Sequence, residues 1–161
     1  MLNLNIQSYF KIILIISIIS TASAFYIEYI LGHQPCRLCL IERIPYILSI
    51  FLIILNHILI KKDKFLIILL TIVFIASFTI SIYHFGIEQG IFNETTICGV
   101  KNSNEIISKE QLLKQLSQKT ISCKDVTFRI LGFSLSSINI FISFILICLL
   151  LRLYIIYEKI K

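Results

Sequence analysis

The chain has 161 residues, 57% of them apolar and 15% charged, with a mean hydropathy of +0.90. Soluble domains average nearer half apolar and a quarter charged, so this composition excludes a soluble enzyme and a disordered chain. The net charge of +6 is not gathered into a basic cluster beside a stacking or groove-reading element, which excludes a nucleic-acid-binding module. What remains is a small all-α integral membrane protein with a single domain over residues 1–161.

A bilayer-spanning helix needs about 20 apolar residues. In chain order the predicted spans are 10–31, 41–60, 65–87 and 130–151, a four-helix bundle. The second apolar run, Ile44 to Ile60, is short and gains a turn by reaching back toward Cys39. Two loops, 32–43 and 88–129, emerge on one face, and Lys61-Lys62-Asp63-Lys64 makes a tight basic turn on the other. All seven tyrosines fall near proposed helix ends, as interfacial aromatic belts do. In the second loop, Ser108-Lys109-Glu110-Gln111 fits a capping box and precedes Leu112, Leu113 and Leu116. This predicts a short amphipathic helix on the membrane surface or over the bundle top. Ala22-Ser23-Ala24 also fits a signal-peptide cleavage pattern, but the apolar run continues through Phe25, Tyr26 and Ile27. Three lysines in the four-residue turn favour a cytoplasmic location for that face and for both termini.

Four of the five cysteines lie in the two loops: Cys36 and Cys39 as C-x-x-C in the first, Cys98 and Cys123 in the second. Cys148 lies inside the fourth span, where a small apolar packing role is expected. Four loop cysteines on one face mean disulfides or a metal. An oxidising compartment favours disulfides, whereas zinc requires the thiolates to converge on one tetrahedral centre. A C-x-x-C ring is too small to stabilise much by chain entropy, so a redox role fits it better than stapling. Its place at a helix start lowers thiol pKa values. Arg43 lies one turn after Cys39 on the same face, a fixed charge for a thiolate or an anionic acceptor, or else a snorkelling interface arginine. Haem, iron–sulfur and nucleotide motifs are absent, which leaves a bilayer-dissolved quinone as the electron acceptor. His84 and Glu88, one turn apart near the end of the third span, are candidates to line its site with Arg43, or else polar residues facing headgroups.

These residues carry a resemblance. Gln34-Pro35-Cys36-Arg37-Leu38-Cys39-Leu40-Ile41-Glu42-Arg43 resembles the P-C-x-L-C-x-x-x-R signature of the DsbB family of quinone-linked thiol oxidases. Tyr83-His84-Phe85-Gly86-Ile87-Glu88 is similar to that family's close of the third helix. Ser122-Cys123-Lys124-Asp125, then Phe128 through Leu135 and Asn139, is similar to its approach to the fourth. The resemblance implies an inner-membrane, quinone-dependent protein-disulfide oxidoreductase that supports disulfide formation, a chaperone-like service. It implies loops in the periplasm, a partner that is a DsbA-like thioredoxin-fold protein, ubiquinone or menaquinone as cofactor, and no metal. It further implies Cys36–Cys39 and Cys98–Cys123 disulfides, with a transient Cys36–Cys123 bond and Arg43 at the quinone. Departures from the pattern are the absence of Trp and a Glu at position 88 where some members carry Gln.

Overall fold

Lipid offers no hydrogen bonds, so a chain crossing it must satisfy its own backbone groups, and uninterrupted Ile/Leu/Phe runs therefore coil into helices. The structure is a computed structural model that describes residues 6–60, 62–93, 98, 122–124, 128–130 and 132–160. Its helices are α1 (Ile6–Tyr29), α2 (Arg37–Ile41), α3 (Ile44–Leu55), α4 (Asp63–Glu88) and α5 (Leu135–Ile160). A two-residue antiparallel pair, β1 (Arg129–Ile130) with β2 (Phe133–Ser134), precedes α5. Among the described residues, four stretches are long and apolar enough to cross a membrane: Ile6–Tyr29, Arg37–Leu59, Asp63–Glu88 and Leu135–Lys159. The expected four-helix membrane architecture is therefore observed. The amphipathic helix expected around 105–117 lies outside the described residues.

Three local signals set the helix ends. Pro45 lacks an N–H and suits only a first turn. The second span accordingly breaks at Glu42–Arg43 into the one-turn α2 and the longer α3. At its far end α3 widens into a π-turn, Asn56–Ile60. There Asn56 accepts from the Lys62 N–H at 3.1 Å and donates to Asp63 at 3.0 Å, tying the turn into α4. α4 stops at Gly90, whose φ of +74° lets the Ile91 N–H return to the Gly86 carbonyl at 2.8 Å, the usual glycine helix stop. The fourth helix starts at Leu135 instead of 130, because Gly132 (φ +87°) turns the chain back on itself. Ser134 Oγ then caps the new helix through the Ser137 N–H at 3.3 Å.

α4 and α5 pack along each other, and α1 lies against α3 and α5. Their shared core holds Tyr9, Ile13, Tyr46, Leu70, Phe74, Leu146 and Leu150, while Ile15, Ile19, Phe51, Ile72, Phe141 and Leu151 point outward. An outer surface this apolar is solvated by lipid, not water. Cys148 is also exposed on this outer side of α5, so it faces lipid and not the helix packing expected of it.

Small and polar residues line the helix contacts, as membrane bundles require for close approach. Ser17 and Ser49 meet at 2.9 Å, and Ser77 and Ser143 at 3.2 Å. Asn139 accepts from the Tyr46 hydroxyl and donates to Ser81 Oγ at 2.7 Å. Tyr46 is thus a buried hydrogen-bonding side chain, 4% exposed, and not the interface anchor its sequence position suggested. Replacing Asn139 with Ala removes both partners at once. An expected loss of about 1–2 kcal/mol should appear in reversible unfolding in mixed detergent micelles. An unchanged midpoint would show the network to be energetically idle.

Candidate functional site

The two loop approaches and the ends of α1, α4 and α5 meet at one end of the bundle. Cys36, just before α2, accepts at Sγ from the Cys39 N–H at 3.2 Å, the bond that starts this single turn. The turn brings the Cys36 and Cys39 sulfurs to 2.7 Å. All five cysteines are thiols here. Cys36, Leu38, Ile87, Cys98 and Cys123 form a buried cluster, with Cys39, Ile41 and Tyr83 packed against it. The Cys123 thiol interacts with the sulfurs of both Cys36 and Cys98 and with the backbone at Leu38. The hydrogen bond to Cys36, reinforced by burial, holds it well above the ordinary thiol range. The loop cysteines named from the sequence therefore form a continuous path: Cys98 to Cys123, Cys123 to Cys36, Cys36 to Cys39.

The sulfurs of Cys36 and Cys39 and a nitrogen of His84 lie within 4.8 Å of one another, a donor set that could hold a metal. Two thiolates on tetrahedral zinc at roughly 2.3 Å would stand about 3.8 Å apart. The observed 2.7 Å is much closer and suits direct bonding, for which S–S is about 2.05 Å.

Cys39 differs from Cys36 in what it faces. It lines a cavity of about 260 Å³ between α1, α3 and α5. Ile19, Ile27, Ile138 and Ile142 supply apolar wall, and Arg43, Tyr46 and Asn139 supply polar groups. Arg43 pairs with the Glu28 carboxylate, donates to the Ala24 carbonyl at 3.4 Å and lies over the Phe25 ring at 5.3 Å. A guanidinium at membrane depth requires such partners, and here all three come from α1.

His84 and Glu88, the other two residues singled out for a cofactor, do not line this cavity. His84 is 2% exposed. Its Nδ1 lies 3.0 Å from Glu42 Oε1, and its Nε2 lies 3.5 Å from Cys36 Sγ and 3.6 Å from Glu88 Oε1. Glu88 accepts from Ser136 Oγ at 2.7 Å and lines a separate cavity with Arg129, Ser134 and Ser137. Sequence reading passed over Glu28 and Glu42 as site residues. Both are carboxylates in otherwise apolar segments, and that position alone marks a residue as held by a partner or by function.

The sequence profile described as Disulfide bond formation protein DsbB matches residues 7–153. The chain belongs to the DsbB family. An uncharacterized protein of Rickettsia prowazekii (strain Madrid E) is 33% identical over 144 residues, covering 88% of this chain and 82% of that protein. No solved structure matches. As a DsbB-family member this is a multi-pass membrane thiol oxidase of disulfide bond formation, and a path of neighbouring sulfurs at the end of a membrane bundle suits that activity.

Proposed function

We propose that the protein reoxidises a DsbA-like thioredoxin-fold partner outside the bacterial inner membrane and passes the electrons to a membrane quinone. The single observation that supports this most is the position of Cys39, with Cys36 at 2.7 Å on one side and the Arg43-lined cavity on the other. On this reading both termini are cytoplasmic, and the cysteine loops face the periplasm.

Each step is a thiolate attack on an accessible sulfur. The partner's thiolate attacks Cys98 of a Cys98–Cys123 disulfide, and Cys123 leaves with the electron pair. Cys123 attacks Cys36, its buried neighbour. The Cys36–Cys39 bond breaks, and Cys39 takes the electron pair at the cavity edge. A quinone, when bound, accepts two electrons and two protons, and its ubiquinone or menaquinone nature is open. The residues present fit such a group: apolar walls for a ring and tail, with Arg43, Tyr46 and Asn139 as hydrogen-bonding groups. Arg43 stabilises negative charge that develops there, and Glu28 holds the guanidinium in place meanwhile.

The test is anaerobic quinone reduction by purified protein supplied with a reduced DsbA-like partner. Turnover is expected with one or both quinone types. Arg43→Ala is expected to raise the half-saturating quinone concentration about tenfold or more, the loss of one charge-assisted contact, while disulfide transfer from Cys98–Cys123 to the partner continues. A folded, fully oxidised protein that turns over neither quinone would overturn the proposal.

A further inference from the structure

The sulfur path uses Cys36 twice, as the atom that Cys123 attacks and as the atom that must close the pair with Cys39 again. Between the two uses Cys36 leaves Cys123 with the electron pair, so charge develops on a sulfur that is 6% exposed. A buried sulfur that gains or loses charge needs a proton donor or acceptor beside it. Arg43 serves the cavity side, but a guanidinium gives up no proton in a protein. The group beside Cys36 is His84, at 3.5 Å through Nε2, with Nδ1 held by Glu42 at 3.0 Å. A carboxylate, an imidazole and a sulfur in line form the nucleophile–base–orienter arrangement of acyl-transfer and thiol enzymes.

We propose that His84, oriented by Glu42, is the acid–base group of Cys36. The inference rests on the disulfide-transfer reading above but not on the identity of the electron acceptor. The second thiolate of the dithiol partner attacks the partner sulfur bonded to Cys98, so the partner leaves as a disulfide and Cys98 leaves as a thiolate. In the releasing step, that Cys98 thiolate attacks Cys123 of the Cys36–Cys123 bond. The Cys98–Cys123 bond forms, the Cys36–Cys123 bond breaks, and Cys36 leaves with the electron pair. His84, carrying protons on both ring nitrogens, gives the Nε2 proton to that sulfur and keeps Nδ1–H on Glu42. In the closing step, Cys36 returns the proton to Nε2, and the Cys36–Cys39 bond forms as the two electrons of the thiolate pair pass to the oxidant of this step, which on the reading above would be a bound quinone. The proton moves back and forth within one buried pair with no net uptake.

Among the described residues, four titratable groups stand near the imidazole: Cys36 from before α2, Cys39 from α2 within 4.8 Å, Glu42 from the α2–α3 turn and Glu88 from its own helix. Glu88 lies farther away at 3.6 Å and is itself engaged by Ser136. Glu42 therefore fixes which ring nitrogen faces the sulfur, a positioning role. His84 touches the reacting atom and is the catalytic residue of the two.

The experiment is a quinone-free single turnover. Fully oxidised protein is mixed with excess dithiothreitol, acid-quenched over milliseconds to seconds, alkylated and analysed by mass. The reduction rate of each cysteine pair is read separately. General acid–base catalysis contributes about 10²–10⁴-fold, so His84→Asn and His84→Gln are each expected to slow the release of Cys36 from the Cys36–Cys123 bond, and with it completion of inner-pair reduction, about tenfold or more. Opening of Cys98–Cys123 should keep its wild-type rate. Glu42→Gln should slow the inner pair by less, and Glu42→Asp should recover part of that loss. Gln retains a hydrogen-bonding group near the Nε2 position without acid–base capacity, so it separates proton transfer from packing. A wild-type inner-pair rate in both His84 variants would overturn the proposal, as would equal slowing of the two pairs. No quinone enters the assay. Failure of the quinone reading would therefore appear only in the anaerobic turnover experiment and would leave this result intact.

Discussion

Cys39→Ser is expected to abolish quinone reduction while Cys148→Ser leaves it at the wild-type rate. Cys39 is the one loop cysteine that lines the cavity, and its sulfur stands 2.7 Å from that of Cys36. A serine hydroxyl in its place can neither form nor break a bond to Cys36, so the electron path ends one atom short of the acceptor. Cys148 lies exposed on the lipid side of α5 and touches none of the path. The comparison also guards against a trivial loss of fold, because both variants exchange one sulfur for one oxygen. Stopped-flow quinone absorbance under nitrogen, with the reduced partner in excess, reads both variants. Persistent turnover in Cys39→Ser would move the exit of electrons elsewhere and remove the reason for assigning the cavity to a quinone.

The parts of this arrangement that are local in sequence could be read from the sequence. Apolar runs of spanning length fix four helices, because lipid permits few other solutions. C-x-x-C places two sulfurs within one turn, and Arg43 follows Cys39 by another. Contacts between helices could not be read this way. Which face of α4 looks inward depends on how it rotates against α2 and α5, so the meeting of His84 with Cys36 and Glu42 across 42 to 48 residues left no periodic trace. From the sequence, His84 therefore groups with Arg43 only as a polar residue near a helix end. Tyr46 misled for the same reason: a tyrosine near a span's start reads as an interface anchor until Asn139 on α5 is found beside it. The break before α3 was legible, since Pro45 stands in plain view, yet hydropathy alone runs the span straight through it. The late start of α5 depends on the glycine turn at Gly132, which an apolar-run count likewise passes over.

Cys123→Ser is expected to reduce partner oxidation to background, and the same thiol gives the reduced protein a distinctive response to pH. Cys123 is the outer-pair sulfur that reaches the inner pair, in contact with Cys98 on one side and Cys36 on the other. Without it the outer loop holds no disulfide for a partner thiolate to attack. Its surroundings also oppose charge. The hydrogen bond to Cys36 and burial keep the thiol protonated well above the ordinary thiol value of about 9. When a partner opens the Cys98–Cys123 bond, burial alone disfavours the Cys123 thiolate that is released, and the Cys36 sulfur lies beside it as an outlet. The sign of the linked stability follows. In the reduced protein the folded state keeps the Cys123 proton above about pH 9, where the unfolded chain has lost it. The stabilisation is fully present below that pH and falls as pH rises, by up to about 1.4 kcal/mol per unit. The oxidised protein has no such thiol and no such loss. Unfolding of the fully reduced protein at pH 8 and pH 10, with Cys123→Ser alongside, measures the difference. A reduced wild type as alkali-resistant as the serine variant would mean that Cys123 is not held neutral against Cys36.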